Sequence, residues 1–148
     1  VTPVHRHLLF LVLIGAVAGR LVSGQVTEEL RLIVHSSNRV SALGAPEVSR
    51  FYLEEDAQWP NGRLVLAVDQ SPESPVRMMF SHEILGRDVA AVRAHWRRLI
   101  FQGRGVPPPT RGSDQEVVLF VSANPNAIGY VSSSAILSAE VKVIALTN

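Results

Sequence analysis

Apolar and polar positions along the chain repeat with two different periods, and the changes of period mark out its elements. Leu30-Arg31-Leu32-Ile33-Val34 alternates and is rich in branched residues, which predicts a strand running into the polar loop His35-Ser36-Ser37-Asn38. A helix follows. Pro46 suits a first turn, Glu47 lies near the positive end of the dipole, and Val48, Phe51 and Tyr52 share a face. Trp59-Pro60-Asn61-Gly62 is a turn, and the unbroken apolar run Leu64 to Val68 predicts a strand buried on both faces. Strand, helix and strand within so short a span predict a βαβ unit with its strands parallel.

Two Ser-Pro pairs in Asp69 to Pro75 offer alternative starts for a helix through Val76, Met79, Phe80 and Ile84. Gly86 ends it, and a second helix from Asp88 places Val89, Val92, Trp96, Leu99 and Ile100 on one stripe. The segment from Gly103 to Gly112 holds three successive prolines and reads as an irregular loop. Ser113-Asp114-Gln115-Glu116 has the form of a capping box for a helix with Val117, Phe120 and Val121 inward. Asn124-Pro125-Asn126 stops that helix. Ala127 to Val131 and Val141 to Leu146 are then the last strands, the first with Gly129 at its centre, where glycine is costly. No internal repeat and no second domain is visible.

Composition changes this picture mainly at the start of the chain. The 148 residues are 47% apolar, enough for the core of one domain. Leu8 to Gly19 is apolar or small, follows Arg6, and leads to Val22-Ser23-Gly24. Twelve residues are too few for a helix that spans a bilayer, which takes about 20. A cleavable signal peptide over residues 1–24 is therefore expected, with export to a bacterial periplasm and secretion beyond it as the further option. Arg6 and Arg20 would leave with it. Its removal changes 14 basic side chains to 12, against 13 acidic ones, over the domain 25–148. Such a balance gives no pull toward nucleic acid, and the absence of cysteine excludes disulfides and thiol-linked lipid.

Catalytic patterns are missing. There is no G-x-S-x-G, H-E-x-x-H or phosphate loop, and His35, His82 and His95 share no ligand spacing, so neither catalysis, metal nor cofactor is expected. Asp69 and Glu73 read as solvated turn acids. Arg87, Arg93, Arg97, Arg98, Arg104 and Arg111 form a basic cluster, but Arg93, Arg97 and Arg98 lie off the apolar stripe and read as a solvated face. The start of the Ser74 helix carries more chemistry. Free first-turn amides, a serine hydroxyl and Arg77 one turn inside suit an oxyanion, although an ordinary capped helix has the same appearance. Ser36, Ser37 and Asn38 would add donors if both loops lie at the carboxyl ends of their strands.

Taken together, Trp59-Pro60-Asn61-Gly62, Ser74-Pro75-Val76-Arg77-Met78-Met79-Phe80, Trp96, Phe101-Gln102-Gly103 and Asn126-Ala127-Ile128-Gly129-Tyr130-Val131 resemble the phosphate-binding-protein family. The likeness is closest to short periplasmic members related to the substrate-binding component of phosphate ABC transporters, and it runs from about Leu30 to Leu146. It implies an α/β fold, a single lobe of the type 2 periplasmic-binding-protein kind, with a mixed, mostly parallel sheet flanked by helices. Ser74, Arg77 and Phe80 match a family segment that commonly reads Gly-Ser-Gly-Thr-Arg-x-x-Phe, whose hydroxyls, amides and arginine hold phosphate. Pro75 and Val76 depart from it and remove one hydroxyl and one backbone donor.

The resemblance implies a non-catalytic binder of phosphate or a similar oxyanion, tied to uptake or sensing through a membrane transporter. Ser74, Arg77, Ser36, Ser37 and Asn38 are the expected anion-binding residues. One lobe leaves the anion partly hydrated, which a homodimer would remedy. The alternative is an envelope adaptor that keeps the fold without an anion. Gly129 is expected to permit close backbone approach.

Overall fold

The computed structural model describes residues 29–54 and 56–147. The expected signal peptide lies outside these residues. Eleven elements follow in chain order: β1 (Leu30–His35), β2 (Ala42–Gly44), α1 (Ala45–Leu53), β3 (Leu66–Ala67), β4 (Asp69–Gln70), α2 (Pro75–Glu83), α3 (Val89–Phe101), β5 (Thr110–Arg111), α4 (Asp114–Ala123), β6 (Ala127–Ser132) and β7 (Val141–Thr147). Among the described residues no helix is long and apolar enough to cross a membrane.

Three of the four described helices, α2, α3 and α4, begin at a side chain that caps them. Ser74 Oγ accepts from the amide of Arg77, Asp88 Oδ1 from that of Ala91, and Ser113 Oγ from that of Glu116. These side chains satisfy donors that a first turn leaves free. At α4 the return bond is displaced by one residue, because Glu116 accepts from the amide of Gly112 and not from Ser113.

Five strands form one sheet in the order β2-β7-β1-β6-β3. β1 is antiparallel to both β6 and β7, while β2 parallels β7 and β3 parallels β6. Four strands therefore run one way and the central strand, β1, runs the other. The sheet is mixed, with two of its four strand pairings parallel and two antiparallel. The expected parallel pairing of β1 with the strand after α1 does not occur, since β6 lies between them and they run in opposite directions. The chain reverses in residues 36–41 and adds β2, so the parallel crossover through α1 starts from β2. Three residues without a period left no trace of β2 in the sequence. The strand expected over Leu64 to Val68 is also shorter and less covered. β3 lies at the sheet edge, and Leu64 and Leu66 are exposed while Ala67 and Val68 are buried.

Period-two alternation divides the core between the two faces. Leu32, Val34, Ile128 and Tyr130 pack with Val48, Tyr52, Phe80 and Trp96 from the three helices on one side. Ile33, Ala127 and Val131 pack on the other side against Val117, Val118 and Val121 of α4. All six residues of β6 are buried. Gly129 belongs to the α4 face, where an added Cβ would lie 2.6 Å from Val117 Cγ1 and 3.0 Å from Val68 Cγ1. The close approach expected there is made by valine side chains, not by a neighbouring backbone.

Candidate functional site

The carboxyl ends of β4 and β6 meet the first turns of α2 and α4. Ser71 to Ser74 close a turn, with the Ser74 amide on the Ser71 carbonyl at 2.9 Å, and this sets Ser74 as cap and Arg77 in the first turn of α2. The Arg77 side chain is buried. Its Nη2 lies 2.9 Å from Asp69 Oδ2, and its Nη1 donates to Ser81 Oγ at 2.9 Å. The other Asp69 oxygen accepts from Tyr130 Oη and from the Gln70 amide. Asp69 is thus a strand residue held by a buried cation, and only Glu73 of the expected pair of turn acids is exposed.

Burial raises the carboxyl of Asp69 above its ordinary range, while Arg77 and the hydrogen bonds from Tyr130 and Gln70 pull it back in part. Burial likewise raises Tyr130, which also faces the Asp69 charge. Above this network Tyr130 stacks on Phe80, with ring centroids 3.9 Å apart.

Gln70 links the network to α4. Its Nε2 donates to Asp114 Oδ1 at 2.8 Å and to the Tyr130 carbonyl at 3.0 Å, and its Oε1 accepts from Ser74 Oγ at 3.0 Å. Asp114 Oδ2 accepts from both the amide and the hydroxyl of Ser132. The Ser74 hydroxyl, expected as an anion donor, is therefore engaged within the protein, and so is the start of α4. The Ser74 hydroxyl proton goes to Gln70, and a carboxylate of the chain itself sits at the positive end of α4.

Next to this network a cleft of about 290 Å³ opens between β4 and α3. Asp69, Gln70 and Arg77 form one side, and Arg93, Trp96 and Arg97 the other. Arg93 and Arg97 are exposed, and the only ion pair among the described residues is that of Arg77 with Asp69. Arginine is always protonated and can give paired hydrogen bonds to an oxyanion. Among the described residues no three His, Cys, Asp or Glu side chains converge as a metal would require.

Ser74 and Arg77 come together as the sequence indicates. Ser36, Ser37 and Asn38 do not join them. Val34 pairs with Ile128 near the beginning of β6, whereas Gln70 bonds to Tyr130 toward its end, and β1 runs opposite to β3. The loop after β1 therefore emerges at the other end of the sheet, about 15 Å away at roughly 3.3 Å per strand residue. Local sequence patterns do not mark Asp69, Gln70, Asp114 and Tyr130 as site residues. A tyrosine in a fully buried strand needs a partner for its hydroxyl, and that requirement was the available signal.

No family model and no curated relative matches the chain. Solved structures do. A Clostridium perfringens protein with bound phosphate, assigned as a phosphate ABC transporter substrate-binding protein, superposes with a TM-score of 0.63 at 21% identity, over 80% of this chain and 45% of its own. An ABC-type phosphate transport receptor from Vibrio cholerae gives 0.61 at 16% identity, over 80% and 46%. PstS from Borrelia burgdorferi gives 0.60 at 10%, over 82% and 48%. The chain spans a little under half the length of each. Its fold is that of the phosphate-binding proteins.

Proposed function

We propose that the chain binds phosphate or a similar oxyanion without catalysis, in the cleft between β4 and α3, as an exported module of phosphate uptake or sensing. The observation that carries this reading is the buried Arg77, fixed by Asp69 and Ser81 at one wall, facing Arg93 and Arg97 at the other. The likeness to a protein solved with phosphate supports the ligand class. In this reading Arg93 and Arg97 supply the free charge, Arg77 a preset donor, and Ser74 holds Gln70 in place. Ser36, Ser37 and Asn38 take no part.

Calorimetric titration of the purified protein with phosphate at low salt, with sulfate as control, tests it. Saturable heat is expected, weakened at least tenfold in Arg93→Gln/Arg97→Gln, since a hydrogen bond to a charged group contributes about 1.5–3 kcal/mol. A flat trace from folded protein would overturn the reading.

One observation favours a second reading, that of an envelope adaptor that keeps the lobe without an anion. The charge of Arg77 is already matched by Asp69, and the Ser74 hydroxyl is already given to Gln70. Crosslinking in whole cells would then recover a protein partner, and a flat phosphate titration would accompany it.

A further inference from the structure

A cleft larger than the one beside Arg77 lies at the opposite end of the sheet. It measures about 600 Å³, roughly twice the volume beside Arg77, and falls within the range of sites for small organic ligands. Its polar lining comes from Ser37, Asn38 and Arg39 after β1, Asn61 and Arg63 after Trp59, and Asn126 before β6. None of its described lining residues is a carboxylate, and neither arginine forms an ion pair among the described residues.

Local hydrogen bonding sets the sign of this surface further. Asn38 Oδ1 accepts from the amide of Val40 at 2.9 Å, and Asn61 Oδ1 from that of Arg63 at 3.0 Å. Both bonds require the carbonyl oxygen to turn toward the backbone, because an amide nitrogen cannot accept. The Nδ2 donors are therefore what these two residues leave for a ligand. Two guanidinium groups without an ion pair among the described residues, and two amide groups with their Nδ2 donors left over, make a wall that complements acceptor oxygens carrying negative charge. Val40, Pro60 and Pro125 give the same cleft apolar surface beside the donors, with the buried Trp59 behind them.

We infer that this cleft is a second ligand site, for a small organic molecule that carries an anionic oxygen headgroup, a phosphate ester or a carboxylate, on a short organic body. Arg39 and Arg63 neutralise the headgroup, and the two asparagine amides orient it. The volume beyond the headgroup accommodates the body against Val40 and the prolines. This inference is independent of the proposed function, which uses different residues at the other end of the sheet.

The two tryptophans of the chain separate the two sites. Trp59 lines this cleft, and its Nε1 donates to the Asn126 carbonyl at 2.9 Å, whereas Trp96 lines the cleft beside Arg77 and donates to the Tyr52 carbonyl. Each gives one indole N–H resonance, assigned by comparison with Trp96→Phe. Purified protein is titrated with glycerol 3-phosphate, glycerate, inorganic phosphate and neutral glycerol. The expected result is a saturable shift of the Trp59 resonance with glycerol 3-phosphate or glycerate, whichever is stronger naming the headgroup. Affinity should fall at least tenfold in Arg39→Gln/Arg63→Gln and stay unchanged in Arg93→Gln/Arg97→Gln. All four substitutions are at exposed positions, so folding is retained. The inference is overturned by a Trp59 resonance that stays fixed with both acids, by equal shifts with glycerol, or by a shift that survives Arg39→Gln/Arg63→Gln. Movement of Trp96 alone would uphold the proposed function and still overturn this site.

Discussion

Arg77 and Asp69 form an ion pair with 2.9 Å between Nη2 and Oδ2, with only 4% and 14% of their side chains exposed. Such a pair costs desolvation that its attraction offsets only when both partners remain. Asp69→Asn and Arg77→Met are each expected to destabilise the fold by about 3–5 kcal/mol, since each leaves a buried charge without its counterpart. The double variant should lose clearly less than the sum. Urea denaturation of the four proteins measures the coupling, and strict additivity would show that the pair contributes nothing jointly.

Gly129→Ala tests the packing of β6 against α4. Its Cβ would meet Val117 Cγ1 at 2.6 Å and Val121 Cγ2 at 3.2 Å, on branched side chains of a packed helix. Overpacking of this kind costs about 1–3 kcal/mol. Val117→Ala removes the nearest methyl groups, so the same glycine substitution made in that background should cost less, and an unchanged cost would exclude the contact as the cause.

Ser74→Ala removes the cap of α2 and the donor to Gln70 Oε1 together. A loss of about 1 kcal/mol is expected for the cap, with a further contribution from the unpaired Gln70 oxygen. Ser74→Thr keeps both bonds and should recover most of the stability in thermal denaturation.

Tyr52 and Tyr130 are the chain's two tyrosines, and burial raises both above their ordinary value of 10.0. Both remain protonated in the fold after the unfolded chain would have ionised. The stability tied to them is complete below that ordinary value and declines above it, by about 2.7 kcal/mol per pH unit for two protons. Tyrosinate absorbance should therefore appear only together with the loss of far-ultraviolet circular dichroism. Ionisation that precedes unfolding would contradict the burial of one of the two rings.

Much of this fold could be read from local signals. The caps at Ser74, Asp88 and Ser113 and the branched runs at Leu30, Ala127 and Val141 mark elements that begin where expected. Strand direction could not be read, because β2 has three residues and no periodic pattern, yet it reverses the chain before α1. Without that reversal Ser36 to Asn38 would lie beside Ser74, while the register puts them at opposite ends. Asp69 reads as a turn acid in the sequence because acidity in a Ser-Pro-rich stretch normally means solvent. Its partners, Arg77 eight residues later and Tyr130 far along the chain, exist only once the sheet has formed.

The reversed central strand has a consequence for how the molecule is made. β1 is the first described strand, but both of its neighbours, β6 and β7, come from the last part of the sequence, with Arg31 bonded to Ser132 across 101 residues. A ribosome that has delivered β1 through α4 has delivered a strand with no edge to pair with. Distant pairings of this kind delay folding, because the loop must close before any contact rewards it. The chain therefore stays open until residues 127–147 have emerged, and during that interval the apolar faces of β1 and α1 are accessible to a chaperone.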